Sequence, residues 1–273
     1  EGAEHVRLRK LVNPAFSSRH VEGLVPKFQE LANELIDSFV DDGHCEFMHQ
    51  FSEPYATRVI CRLLGVDDSN WEELALYAEK MSLALSIAAK ERLDEVEWGL
   101  AQMGAYADGL IAERRAAPHD DFLQTLVDAN EDGDRLTDEE LRDTVILLFQ
   151  GGIDTTRNQL GLGIDLFIRH PDQWRLLGQH PEYAANAVEE VMRSRPTTTW
   201  VTREAAEDCE IDGIAVPKGT TIHLFTESSG TDTRTFADPS FDIASGERPK
   251  HFGFGGGRHY CPRSEEHTAE LQS

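Results

Sequence analysis

The sequence predicts a mainly α-helical protein with a smaller β region near its C-terminal end. Apolar residues recur at helical spacing between residues 4 and 194, in segments that end at proline, glycine or short polar stretches. After Pro196 the pattern changes to β-branched and aromatic runs separated by turn residues, which is typical of strands. The 273 residues are enough to bury a sizeable core.

The helical part consists of segments with recognisable ends. Pro14 ends the first segment and Gly65 the third, because both residues disfavour a helix interior. Thr137 and Glu140 form a capping box at the start of the longest segment. We expect helices over residues 4–12, 20–41, 51–64, 71–85, 90–115, 122–129, 171–177 and 182–194, and one from residue 137 past residue 164.

Three runs predict the strands, over residues 197–203, 209–216 and 220–226. The middle run alternates around Asp212-Gly213, a pair that favours a tight hairpin turn. Earlier in the chain, the acidic stretch 130–134 lacks the twelve-residue ligand pattern of a calcium loop. We therefore expect a solvated loop there.

Composition limits the classes of partner that we expect the protein to bind. The net charge of −24 and the sequence pI of about 4.7 argue against nucleic acid or an anionic membrane as a partner. The sequence contains neither a run of about 18 apolar residues nor a signal peptide. The four cysteines are far apart and form no Cys-x-x-Cys pair, which indicates reduced thiols. We expect a cytoplasmic protein.

A glycine-rich loop, residues 251–262, holds the residues with the most specific chemistry. Arg258 and His259 place positive charge just before Cys261, which favours the thiolate form that binds a metal. The glycines allow the backbone to approach a flat group closely, and Phe254 can pack beside the sulfur. The alternative is a glycine-rich loop that contains one buried free cysteine.

The longest helix contains Gly151 and Gly152, followed by Asp154 and Thr155. Two glycines in a helix interior cost about 1 kcal/mol each relative to alanine, so some function should offset that cost. Glycines permit close approach to a helix, and neighbouring hydroxyls can open or bend it. The alternative is a kinked core helix in which threonine bonds back to the preceding turn.

Two further pairs of charged residues share helix faces. His5 and Arg9 are four residues apart, so they lie on one face of the first helix, which could also be an ordinary solvated basic face. Glu190 and Arg193 are three residues apart on a later helix. As a bare pattern the second pair is weak, because surface ion pairs contribute little.

Taken in order, His5/Arg9, Gly151–Thr155, Glu190/Arg193, Arg203 and Phe254–Cys261 resemble the motifs of cytochromes P450, closest to the soluble bacterial type. The resemblance covers residues 1–262 and implies the cytochrome P450 fold with haem b. It implies Cys261 as the axial metal ligand, Asp154 and Thr155 as the catalytic proton relay, and Glu190 with Arg193 as a buried structural pair. It assigns the remaining cofactor-binding residues as follows: Gly151 and Gly152 make room for dioxygen, Phe254 packs beside the sulfur, and His5, Arg9, Arg203 and His259 hold the propionates.

The resemblance also implies the reaction. A haem-thiolate monooxygenase inserts one oxygen atom from dioxygen into a small apolar organic substrate, with electrons from a ferredoxin and its reductase. Two alternatives remain open, a peroxygenase on the same fold and a non-enzymatic haem-thiolate sensor. The peroxygenase subfamily lacks the acid–alcohol pair, so Asp154 and Thr155 argue against it.

The first 27 residues are net basic within an acidic chain, and their cations are Arg7, Arg9, Lys10, Arg19 and Lys27. In the family this helix lies on the cysteine side of the haem. We expect an acidic ferredoxin to be steered to this surface, with an association rate that falls as salt rises.

The resemblance predicts a partial chain. It predicts one partial domain over residues 1–262, because the family's first helices and strands precede the motif that contains His5. Arg263 stands where the family has glycine, and the polar residues after it cannot form the apolar helix expected under the haem. Residues 263–273 resemble the translation of a sequencing-library adapter, and we expect a non-native tail.

Overall fold

The computed structural model describes residues 2–13, 23–87, 89–131, 134–246 and 248–261. These residues belong to two compact units, one ending at Arg157 and the other beginning at Asn158. Within those ranges, no helix combines the length and the apolar character that a membrane span requires. Pro262, Arg263 and the expected tail lie outside the described residues, as do Arg19 and the expected start of the second helix.

The first unit is built from helices and one short hairpin. A π-helical turn, Met48–Ser52, leads directly into the third helix. The helices are α1 (Ala3–Val12), α2 (Val25–Asp37), α3 (Glu53–Leu64), α4 (Trp71–Ser82), α5 (Leu93–Ala116), α6 (Phe122–Val127) and α7 (Asp138–Arg169), whose last turns belong to the second unit. The hairpin joins β1 (Asn130–Glu131) to β2 (Asp134–Arg135).

The core of the first unit forms where α3, α4, α5, α6 and the first half of α7 turn apolar faces inward. Burial of these side chains is the main stabilising contribution to such a unit. Fully buried members include Leu64, Leu74, Met103, Leu123, Phe149 and Ile153. This core fixes the position of α7, which carries part of the candidate site.

The second unit combines short helices with two small antiparallel sheets. Its helices after α7 are α8 (Pro171–Gln179), α9 (Ala184–Ser194) and α10 (Thr226–Gly230). Strand β3 (Trp200–Glu204) pairs with β6 (Thr221–Phe225), and β4 (Cys209–Ile211) pairs with β5 (Ile214–Val216). Its core contains Leu166, Phe167, Ala187, Val191, Phe241 and Ile243.

The mainly α fold with a smaller β region is confirmed. The capping box is also confirmed, because Thr137 N donates to Glu140 Oε2 at 2.7 Å and Glu140 N donates to Thr137 Oγ1 at 3.2 Å. Asp212 and Gly213 turn the β4–β5 hairpin with φ values of 49° and 81°, as the sequence predicts.

Other ends of helices and strands differ from the predicted ones, for local structural reasons. The expected strand over 197–203 begins only at Trp200, because Thr197 N donates to Gln159 and Thr199 O accepts the Thr226 N–H instead of joining the ladder. The helix expected to reach residue 41 ends at Asp37, and Gly43 closes a following 3₁₀ turn at φ 69°. The expected acidic loop forms the β1–β2 hairpin, although residues 132 and 133 lie outside the described ranges.

Candidate functional site

The glycine-rich loop folds back on itself so that Cys261 lies beside Phe254. The Cys261 N–H donates to Phe254 O at 3.1 Å, and a 3₁₀ turn over Gly257–His259 leads into the cysteine. Gly255 and Gly257 have φ values of 80° and 72°, a region in which side chains with a Cβ are strained. The loop therefore presents a half-buried thiol on a narrow backbone turn.

Comparison of the four cysteines, none of which forms a disulfide, singles out Cys261. Cys61 lies fully inside the core of the first unit, and burial raises the pKa of its thiol to about 12, with smaller contributions from Asp68 and Asp67. A thiol with such a pKa stays protonated near neutral pH and is a poor metal ligand. Cys45 and Cys209 are exposed and have no glycine-rich loop around them.

The second unit also contains the buried pair Glu190 and Arg193, whose side chains are only 4 % and 2 % exposed. Arg193 Nε and Nη2 each donate to one oxygen of Glu190 at 2.7 Å. The same guanidinium donates to the carbonyl of Gly230 at 2.5 Å and to that of Pro239 at 3.0 Å. The structural role expected from the sequence is thus matched by a buried network in the second unit.

A third member of this network was missed by the sequence reasoning. Arg248 Nη2 lies 3.2 Å from Glu190 Oε1, and Arg248 Nη1 donates to Asp238 O at 2.7 Å. Asp242 N also donates to Glu190 Oε1 at 3.0 Å. Nothing in the spacing of Arg248 distinguishes it from a surface arginine, because its partner lies far away in the sequence.

Helix α7 presents an open stripe formed by Leu147, Gly151 and Thr155, which lie four residues apart and are exposed. Leu147 is 68 % exposed despite its apolar side chain. A Cβ added at Gly151 would meet no atom of the described residues within 4 Å, so packing does not require glycine there. Thr155 Oγ1 donates to the Gly151 carbonyl, one turn back along the stripe.

The neighbouring glycine has different surroundings. A Cβ at Gly152 would lie 2.8 Å from Ile60 Cδ1 and 2.9 Å from Ile60 Cγ1, so the Ile60 side chain would have to shift. Gly152 therefore allows α7 to pack closely on α3, a role that the sequence alone did not separate from that of Gly151.

Asp154 lies beside this stripe and takes part in a charged cluster. Arg157 Nη2 donates to Asp154 Oδ1 at 3.0 Å, and Arg157 Nη1 donates to Glu53 Oε1 at 2.9 Å. Glu53 is the first residue of α3. Neither Glu53 nor Arg157 was singled out in the sequence, since 104 residues separate them.

Helix α1 carries His5 and Arg9, both half-buried. Between them lies Arg7, which pairs with Glu4 at 2.5 Å, with Asp134 at 3.3 Å and also with Glu140. These carboxylates, Glu4 first, raise the pKa of Arg7 above its ordinary value. The three carboxylates therefore offset the positive charge that the sequence analysis assigns to Arg7, and the docking surface stays a prediction.

The remaining expected site residues belong to the second unit. Arg203 is exposed on β3, where its Nη1 donates to the Thr202 carbonyl at 2.9 Å. His259 is exposed in the cysteine loop, and Phe254 is half-buried there, with its ring 5.8 Å from that of His251. The structure thus groups Phe254, His259 and Cys261 in one loop and places Arg203 on strand β3 of the same unit.

Comparison with known proteins points to one family. A family model described as Cytochrome P450 matches residues 90–262. Luteothin monooxygenase of Streptomyces thioluteus is 36 % identical over 264 residues, which cover 96 % of this chain and 64 % of that protein. The 6-deoxyerythronolide B hydroxylase of Saccharopolyspora erythraea is 34 % identical over 259 residues, which cover 94 % of this chain and 63 % of the hydroxylase.

A solved structure shows the same fold. The crystal structure of P450BioI in complex with an acyl carrier protein ligated to hexadec-9Z-enoic acid matches with a TM-score of 0.90 and 31 % identity. That match covers 100 % of this chain and 70 % of P450BioI. The chain therefore spans 64 % and 63 % of the lengths of the two curated relatives, which is less than two thirds. It spans 70 % of the length of P450BioI.

Proposed function

Because this chain belongs to the cytochrome P450 family, we propose that the protein is a haem-thiolate monooxygenase. It inserts one oxygen atom from dioxygen into a small apolar organic substrate. The observation that carries the proposal is the loop from Phe254 to Cys261, whose two glycines with positive φ present a half-buried thiol on a narrow turn. The free cysteines agree with a reducing compartment, and we place the protein in the cytoplasm.

Proteins of this family bind haem b, and the described residues fit that group. The Cys261 loop offers a thiol without a disulfide partner, and glycines at positions 255 and 257 leave no side chain that would hold a flat ring away from the backbone. When bound, haem b supplies an iron centre that activates dioxygen for attack on an unactivated carbon.

In this proposal each polar residue has a defined role. Cys261 would hold the haem iron through its sulfur, and Arg258 and His259 precede it in the loop. The propionate carboxylates need charge-assisted donors. In the second unit Arg203 and His259 supply them, and in the first unit His5 and Arg9 do so.

The open stripe of α7 supports the roles of the acid and the alcohol. Gly151 leaves space beside the helix, and Thr155 stands one turn further on that stripe. We expect Thr155 Oγ1 to exchange its bond to the Gly151 carbonyl for one to the reacting oxygen, while Asp154 supplies the proton. Gly152 contributes close packing on Ile60, so Gly151 is the residue that makes room for dioxygen.

Replacement of Thr155 by alanine tests this function. We expect the variant to retain haem and to consume oxygen, but to divert electrons from product to hydrogen peroxide, because proton delivery loses its hydroxyl. A positioned acid–base group contributes about 10²–10⁴-fold, and we expect the rate of product formation per electron to fall by about 10²-fold. Product, peroxide and electron consumption are measured together with a reductase system.

Thr144→Ala is the matched control, since Thr144 Oγ1 donates to the Glu140 carbonyl at 2.7 Å on the same helix. It should leave the yield of product unchanged. Equal yields from the two variants would contradict the role of Thr155. Turnover that runs equally well on hydrogen peroxide alone would favour the peroxygenase, and haem binding without any turnover would favour the sensor.

We further propose that a ferredoxin-type protein delivers the electrons and that α1 forms part of its docking surface. Lys10 is exposed in the last turn of α1, and Lys27 is exposed at the start of α2. Lys10→Glu should slow haem reduction by an acidic ferredoxin several-fold at low salt and much less at high salt, since the attraction is screened. Stopped-flow reduction kinetics at several salt concentrations measure this.

Two controls accompany that experiment. Lys218→Glu makes the same charge change on the turn between β5 and β6 and should leave the reduction rate unchanged. Arg7→Lys should also have little effect on the rate, because it keeps the positive charge beside the carboxylates of Glu4 and Asp134. A reduction rate that ignores both salt and the charge of Lys10 would rule out docking on α1.

A further inference from the structure

Arg157 is shared between two carboxylates that belong to different helices. Its Nη1 donates to Glu53 Oε1 of α3 at 2.9 Å, and its Nη2 donates to Asp154 Oδ1 of α7 at 3.0 Å. The side chains of Arg157, Glu53 and Asp154 are only 19 %, 19 % and 21 % exposed. Such a partly buried ion cluster is less screened than a surface pair, so its geometry has more influence on the charge of each member.

The Arg157 guanidinium divides its hydrogen bonds between two carboxylates and leaves one buried donor over. An arginine fork usually binds one carboxylate with two parallel hydrogen bonds. Here Nη1 and Nη2 each bond to a different carboxylate, and the buried Nε has no hydrogen-bond partner among the residues that the structure describes. A buried donor without a partner is unfavourable and calls for an explanation in function.

Two consecutive residues at the start of α3, Ser52 and Glu53, both bind Arg157. The π-helical turn Met48–Ser52 ends immediately before Glu53, and π turns occur frequently at functional sites. Ser52 Oγ donates to the Arg157 carbonyl at 2.6 Å, while Glu53 binds the guanidinium. Arg157 is thus held at its backbone and at its side chain by two consecutive residues.

We infer that Glu53 and Arg157 are positioning residues for Asp154, and that Glu53 acts by drawing one arm of the Arg157 guanidinium away from the catalytic acid. This inference rests on the proposed function, in which Asp154 supplies protons to Thr155. With one hydrogen bond from Arg157, Asp154 is oriented and yet can exchange that bond for another. With two hydrogen bonds from Arg157, Asp154 would be held as a paired carboxylate and would supply protons poorly.

Loss of the Glu53 charge should therefore impair the supply of protons by Asp154, although Asp154 itself is unchanged. In Glu53→Gln the amide oxygen accepts less strongly than the carboxylate, which lets the guanidinium turn its fork, including Nε, onto Asp154. We expect the yield of product per electron in the haem-loaded protein to fall about tenfold, with the lost electrons recovered as hydrogen peroxide. Glu34→Gln is the matched control, because Glu34 accepts from Arg58 Nη1 at 2.8 Å in another pair between helices.

A double-mutant cycle separates positioning from simple structural support. Once Asp154→Asn has removed the acid, adding Glu53→Gln should cause no further loss of product yield, because its effect passes through Asp154. The cycle also has a readout that does not depend on activity, the folding equilibrium constant from urea unfolding. Asp154→Asn should lower that constant about tenfold more in the Glu53→Gln background than in the original protein, since Arg157 then loses its second carboxylate.

Each outcome decides the inference. Glu53→Gln with the product yield of Glu34→Gln, or additive unfolding effects of the two substitutions, would overturn it while leaving the role of Asp154 intact. Asp154→Asn with an unchanged product yield would instead remove the proton-supplying role from the proposed function, and the positioning role with it.

Discussion

The reduced, haem-loaded protein is expected to show a strongly red-shifted Soret band with carbon monoxide, and Cys261→Ser is expected to abolish it. That band requires a thiolate ligand, and a serine hydroxyl stays protonated and cannot supply the same electron density. Product formation should be lost together with the band. Absorption spectra of the carbon monoxide complexes, recorded at equal haem content, measure the effect.

Cys209→Ser is the control for this experiment, because Cys209 is an exposed free thiol on β4 of the same unit. It should leave the band unchanged. Survival of the red-shifted band in Cys261→Ser, or its loss in Cys209→Ser, would show that the ligand has been assigned to the wrong cysteine.

Arg193→Ala is expected to cause the largest loss of stability. The substitution removes both charge-assisted bonds from Arg193 to the buried carboxylate of Glu190, which keeps Arg248 and Asp242 N as partners, and it removes the Arg193 donor from the carbonyls of Gly230 and Pro239. Removing one partner of a buried ion pair costs about 3–5 kcal/mol. That is a large fraction of a total stability of about 5–15 kcal/mol, so the variant should unfold at much lower urea and retain little haem.

Two further variants make this prediction specific. Arg169→Gln removes an exposed arginine that pairs with Asp165 at 2.8 Å, and it should leave the urea midpoint unchanged. The pair Glu190→Gln with Arg193→Met should recover part of the loss, since the buried carboxylate and the buried guanidinium are removed together, while Arg248 keeps the carbonyls of Asp238 and Ser240 as acceptors. An Arg193→Ala midpoint close to that of Arg169→Gln would mean that the buried network contributes little.

The sequence predicted those features that depend on neighbouring residues. The capping box at Thr137 and the hairpin at Asp212-Gly213 are specified within four residues or fewer, and both formed as expected. The expected strand over 220–226 ends at Phe225, because Thr226 starts α10 and bonds back to Thr198 and Thr199. That contact is distant in sequence and leaves no periodic pattern.

The charged clusters could not be predicted for the same reason. Arg7 resembled a free surface cation until Asp134 and Glu140, 127 and 133 residues away, were found beside it. Arg157 has its second partner 104 residues away, at Glu53. Spacing along a helix identifies only pairs that are three or four residues apart, so it revealed Glu190 with Arg193 but not the contact of Arg248 with that pair.

The adjacent glycines of α7 have a consequence for how this protein can diverge. Gly152 is constrained from inside the first unit, because Ile60 occupies the space that a side chain would need. Gly151 is constrained only by what lies outside the helix, since the described residues leave its surroundings open. Natural selection can therefore act on the two positions separately, so that a lineage could change residue 151 to suit a different oxidation while residue 152 remains fixed by the architecture.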